Sequence, residues 1–223
     1  MSVWAEAIGV FSSVLTNDSF EMKNAFRPNG AYLAFGFVTL LGGAIMAGVF
    51  KAVPWVDRHL ERTIIIYAYL IIAYIIFSGV VQRFVLNGQP PWSSTIPPLF
   101  FMVMVWFGCS FNVKLRTHLS FSEFRANMPR TAQMAVLSLD AVLWMTFCII
   151  CVTATARVTA NSSANFQIVL GTDNIMQWWF IITIPIAFVV MAGRVIENFL
   201  EDLSNYRSGE PMIKQAVIGQ GDT

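Results

Sequence analysis

The sequence predicts an all-α integral membrane protein with four core transmembrane helices, an additional N-terminal transmembrane helix and short interfacial helices. Three observations carry this. Of 223 residues, 56% are hydrophobic and only 12% charged, so the apolar surface exceeds what a soluble core of this size buries. The apolar residues gather into five runs, most of them near the ~20 residues a helix needs to cross about 30 Å of hydrocarbon. The charges collect in the connections between those runs, above all where Val105–Arg130 turns from an apolar stretch into Lys114, Arg116, His118, Arg125 and Arg130.

Residues 1–27 place Trp4, Ile8, Phe11 and Leu15 at helical spacing, with Glu6, Ser12 and Ser13 elsewhere, which predicts an amphipathic helix at the membrane surface. No Lys or Arg precedes its apolar part and no small-residue cleavage site follows, unlike a signal peptide. After the turn Arg27-Pro28-Asn29-Gly30, residues 31–50 form an uncharged run, so residues 28–54 are expected to be an extra transmembrane helix. Its Gly43 with Ala47, and Ala44 with Gly48, make small-x-x-x-small pairs that would let another helix approach closely.

Residues 51–62 read as a short polar connection, and 63–86 as the next span, ending at Arg83 before an interfacial turn with Trp92 as a belt residue. Pro97 and Pro98 are expected to open the third span, 99–113, since first-turn N–H groups lack helical partners. In the basic stretch, Ser120 and Glu123 fit a capping box, and Phe121, Phe124 and Met128 share a side away from Arg125. That predicts a short interfacial helix with aromatics toward lipid or a partner. The fourth span, 131–156, carries Asp140; the last, 175–196, is interrupted only by Pro185, and Arg194 and Glu197 lie where it leaves the membrane. Residues 201–223 read as a polar, loosely ordered tail.

Taking alternate sides, ten of the 14 Lys and Arg fall on the side of residues 51–62, 114–130 and the C-terminal segment. The positive-inside rule makes that side cytoplasmic. Five spans then put the N-terminus outside and the C-terminus inside; if residues 31–50 only dip into the membrane, four spans leave both ends inside.

The same inventory excludes much chemistry. Net charge near +1 does not suit a nucleic-acid binder. Cys109, Cys148 and Cys151 all lie within apolar runs, where they serve as small hydrophobes rather than metal ligands. No cofactor or catalytic residue is expected. Asp140 stands about 15 Å along its helix from Arg130, too deep for free hydration, and needs a cation such as Arg194, Arg125 or Arg130. As a lone carboxylate it makes a poor proton relay.

Taken together, several short motifs resemble the DctQ-type small membrane subunit of tripartite ATP-independent periplasmic (TRAP) transporters. They are Val80-Val81-Gln82-Arg83-Phe84, Trp92, Gly108 leading to basic residues and His118, Met128-Pro129-Arg130, and Ile184-Pro185-Ile186-Ala187-Phe188 with Arg194. The resemblance covers residues 55–200 and implies a four-helix, non-catalytic scaffold. Its implied partners are a large elevator-type membrane subunit carrying substrate and sodium sites, a periplasmic binding protein that delivers a small organic anion, and membrane lipids. It also implies a place in the bacterial inner membrane. Two departures stand out. The Glu usual after the Trp is replaced by Ser93-Ser94-Thr95, and residues 31–50 precede the usual helices. Expected interface or lipid-contact residues are Arg83, Trp92, Lys114, Arg116, His118, Phe121, Phe124, Arg125, Arg130, Asp140, Arg194 and Glu197. The alternative, a membrane anchor of an oxidoreductase complex, needs intramembrane His ligands, whereas His59 and His118 both sit at helix ends.

Overall fold

The computed structural model describes residues 3–116 and 128–211. Among these, every regular element is helical apart from one antiparallel bridge between Ile168 and Met176. The helices are α1 (Val3–Thr16), α2 (Ser19–Ala25), α3 (Gly30–Ala52), α4 (Pro54–Val85), α5 (Trp92–Leu115), α6 (Arg130–Ala164), the single turn α7 (Trp178–Ile181) and α8 (Thr183–Ser208). Five stretches, α3, α4, α5, α6 and α7 with α8, are long and apolar enough to cross a membrane. Helix α3 has 23 residues, about 34 Å at 1.5 Å per residue, and its two ends lie at opposite ends of the bundle.

Several boundaries differ from those expected. The polar stretch 51–62 is mostly helix: Pro54 supplies a preset φ at the first position of α4, and the charged residues after it continue the turn. Helix α5 starts at Trp92, so Pro97 and Pro98 lie inside it rather than opening it. Trp92 holds that earlier start by packing with Ile75, Ile96 and Val169. Near Pro185 the chain breaks into α7 and α8 because proline has no N–H for the preceding turn. The segment expected to be loose from 201 continues α8 to Ser208.

Helix α8 is the hub. Val190, Met191, Ala192, Gly193, Arg194 and Val195 are buried consecutively, which an α-helix permits only when neighbours cover every side. Helices α3, α5 and α6 supply that cover, and α4 lies outside against α5. The approach of α3 to α8 depends on missing side chains. A Cβ on Gly193 would stand 2.8 Å from the Met46 Cβ, and one on Gly43 3.1 Å from the Ala192 Cβ. Ala47 is half-buried, whereas Ala44 and Gly48 are exposed, so the pairing motif meets α8 through Gly43 alone.

The N-terminal segment forms two helices. Helix α1 turns Ala7, Val10 and Ser13 inward, leaving Trp4 73% and Leu15 86% exposed along with Ile8 and Phe11. The Glu6 carboxylate accepts from the Gly30 N–H at 3.0 Å, placing negative charge at the start of α3, where Asn29 makes no side-chain cap. Helix α2 is capped by Asp18, which accepts from the N–H groups of Phe20 and Glu21.

Candidate functional site

Where α3 and α5 end, α4 begins and α8 passes, five ionised side chains meet. The Arg194 guanidinium is 0% exposed and Glu61 only 1%. Arg194 Nε donates to Glu61 Oε1 at 2.6 Å and Nη2 to Glu61 Oε2 at 2.7 Å, a bidentate pair. Its Nη1 donates to the Asp57 carboxylate and to Glu197 Oε2 at 2.9 Å, and Nη2 also to the Asp57 carbonyl at 3.0 Å. The Phe50 ring lies 3.6 Å from the guanidinium carbon, so α3 contributes a π face to the same cation. Ser110 on α5 donates to Glu61 Oε1 at 3.4 Å, and Lys114 pairs with Asp57 at 2.9 Å.

The geometry follows from helix periodicity. Asp57 and Glu61 are four residues apart and face one way from α4, while Arg194 and Glu197, three apart, face them from α8. Two cations, Arg194 and Lys114, face three carboxylates, Asp57, Glu61 and Glu197. Every guanidinium N–H of Arg194 is engaged within the chain. A group so enclosed can neither deliver a proton nor bind a solute; what it does is lock α3, α4, α5 and α8 at one depth.

A second layer lies outward. Arg116, in left-handed conformation at the end of α5, pairs with Asp202 at 2.7 Å and Glu201 at 3.3 Å. Asn198 Nδ2 donates to the Val113 carbonyl at 2.8 Å. Arg130 donates to the carbonyls of Asn205, Tyr206, Gly209 and Glu210, satisfying the acceptors that the end of α8 leaves open, and lies over the Tyr206 ring. These contacts are why α8 extends past 201.

Several expectations for individual residues change accordingly. Arg194 is internal rather than at an interface or lipid contact, and with its donors filled by Asp57, Glu61 and Glu197 it is not the partner of Asp140. Asp140 is half-buried on α6. Lys114 and Arg116 are likewise spent on intramolecular pairs. Trp92 is half-buried at the far end, and Arg83 is exposed there. His118, Phe121, Phe124 and Arg125, with the capping residues Ser120 and Glu123, lie outside the described residues. Sequence reasoning missed Asp57 and Glu61; their i, i+4 spacing was the available signal, hidden because the stretch read as a connection rather than the first turns of a helix.

The opposite end is held by hydrogen bonds to backbone carbonyls. Arg157 donates to the carbonyls of Phe26 and Pro28 and lies 4.7 Å from the Tyr32 ring, tying α6 to the start of α3. Thr95 donates to the Leu170 carbonyl at 2.7 Å, and Gly171, with φ +79°, allows the 165–177 loop to press on Pro91 and Trp92.

Comparison with known proteins converges on one family. Residues 72–205 match the family model for tripartite ATP-independent periplasmic transporters, DctQ component. The chain is 28% identical over 139 residues to the sialic acid TRAP transporter small permease protein SiaQ of Vibrio cholerae, an alignment covering 60% of this chain and 78% of that protein. The match takes in the second half of α4, all of α5 to α7 and nearly all of α8, including Lys114, Arg194 and Glu197, while α1 to α3 and the first turns of α4, with Asp57 and Glu61, precede it. The chain therefore belongs to the DctQ component family of TRAP transporters: it is a multi-pass inner-membrane transport subunit, and not an enzyme.

Proposed function

We propose that this chain is the stationary brace of a sodium-coupled importer for a small organic anion. TRAP small permease subunits act with a large membrane subunit and a periplasmic binding protein. On our reading, the large subunit carries the moving parts together with the substrate and sodium sites. The observation that carries it is the distribution of polarity in the bundle. The buried charges Glu61, Arg194 and Asp202 all lie toward one end, and the buried hydroxyls Thr39 and Thr153 donate to carbonyls one turn back on their own helices. Such a bundle supports rigidity and offers a solute no polar path among the described residues.

Orientation belongs to the same proposal. Lys and Arg are concentrated at the end holding the ion cluster, which favours that end, and the C-terminus, in the cytoplasm. Residues 55–200 are taken as the family core, 28–54 as an added transmembrane helix, 1–27 as an interfacial segment and 201–223 as a cytoplasmic tail. The exposed aromatic edge of α4, with Tyr67, Tyr74, Phe77 and Phe84, suits the large subunit. Sialic acid, named for the Vibrio cholerae relative, is the first candidate among carboxylates, sugar acids and sulfonates.

The test is co-purification with a large TRAP subunit encoded beside it, then uptake into liposomes with binding protein and a sodium gradient. Uptake is expected only when all three proteins are present. Uptake by this chain alone would overturn the proposal.

A further inference from the structure

At the end of the bundle away from the ion cluster, α2, α3, α6 and α8 enclose a cleft of about 730 Å³. Its α6 wall includes Val152, Ala156, Ala160 and Ser163, one stripe at helical spacing. From Ser163 to Val152 is about 16 Å at 1.5 Å per residue, as is the facing distance from Phe35 to Met46 on α3. That is roughly half the ~30 Å hydrocarbon thickness, the depth of one leaflet. Apart from its mouth, the walls are apolar: Phe35, Met46, Val189 and Val190 face the α6 stripe. Val38, Ile182 and Ile186 line it and are also exposed, so the cleft opens sideways between α3 and α8.

The mouth has different chemistry. Asn17, Ser19, Thr159 and Ser163 gather there. The Ser19 and Ser163 oxygens stand 2.8 Å apart, and one hydrogen bond between two hydroxyls leaves the second proton for an outside acceptor. Lys23, one turn further along α2, donates to Asn165 at 3.1 Å beside this pair, adding a cation.

We propose that this cleft is a phospholipid site that takes one acyl chain along its length, with the headgroup phosphate at Ser19, Ser163 and Lys23. An apolar space of this size does not hold ordered water, which needs several polar partners. A single acyl chain matches the depth, the width left by Ala156 and Ala160, and a polar group at one end only. Two walls, α2 and α3, precede the family-matched residues 72–205, so the site is a product of the N-terminal extension and independent of the transport reading.

The test uses the full chain in nanodiscs containing phosphatidylethanolamine with a photoreactive diazirine either near the carbonyl or at the methyl end of one acyl chain. Labels near the carbonyl are expected on peptides holding Ser163 and Met22, and methyl-end labels on those holding Val152, Met46 and Val190, both competed by unlabelled lipid. Ala160→Phe should reduce cleft labelling about tenfold while labelling of Leu139 and Val142, exposed elsewhere on α6, stays unchanged. Should that variant fail to fold, the depth order in the unmodified chain decides alone. Labelling spread evenly over exposed apolar positions, or without depth order, would sink the proposal.

Discussion

Arg194 concentrates the physics of this protein in one side chain. A guanidinium leaves water at a cost of several kcal/mol, recovered only if its partners are complete, and here Glu61, Asp57, Glu197 and Phe50 complete them. Arg194→Ala should therefore lower stability by about 3–5 kcal/mol, since Glu61 would stay buried without its cation. Arg194→Met combined with Glu61→Leu should recover much of the loss; thermal unfolding followed by size-exclusion chromatography distinguishes the two. Gly171 is a second residue-scale test. Gly171→Ala forces a side chain into left-handed backbone at about 1–2 kcal/mol, and its Cβ would stand 2.7 Å from the Pro91 carbonyl carbon. Faster proteolysis of the 165–177 loop is the expected readout. We further expect Asp140→Asn to weaken assembly with the large subunit while leaving the sodium dependence of the remaining uptake unchanged, measured by co-purification and transport together.

At the scale of helices, the contrast between α3 and α8 is informative. Gly193→Ala should cost about 1–3 kcal/mol, because the Met46 Cβ belongs to the start of a side chain and cannot swing away. Gly48→Ala should be close to neutral in the isolated chain, as nothing stands within 4 Å. Comparing melting temperatures of the two variants tests whether the small-residue face of α3 works through one register only. The helices themselves were readable in the sequence, since 20-residue apolar runs have few other fates. Their ends were not. Trp92 and Glu201 sit at boundaries set by contacts with residues distant in the chain, and no local pattern announces those. Lys114, Arg116 and Arg194 could be picked out as charges beside apolar runs, but their partners Asp57, Glu61 and Asp202 could not, because pairing across helices depends on which helices become neighbours.

For the molecule as a whole, buried ion pairs lock one end of the bundle and hydrogen bonds to backbone carbonyls hold the other, with an apolar middle between them. Deleting residues 1–52 would remove Phe50 from Arg194 and uncover the face of α8 at Ala192 and Gly193. That shortened chain should aggregate on extraction even though residues 72–205 remain. Recovery of a monodisperse product at normal yield would show that the extension is dispensable for folding. Orientation is checked by labelling single introduced cysteines at exposed Lys51 and Asn87, at opposite ends of α4; a membrane-impermeant thiol reagent added from outside should reach position 87 and not 51.

The ion cluster also has a history in time. Glu61 and Arg194 are 133 residues apart, and at about 5–20 residues per second a ribosome needs roughly 7–27 s to make the intervening chain. During that interval Glu61 has only Ser110 and the neighbourhood of Lys114 to turn to as α5 arrives. The last helix carries the cation that finishes the job, so the bundle can be locked only after synthesis has passed every span, and a chain interrupted before α8 is left open at that end.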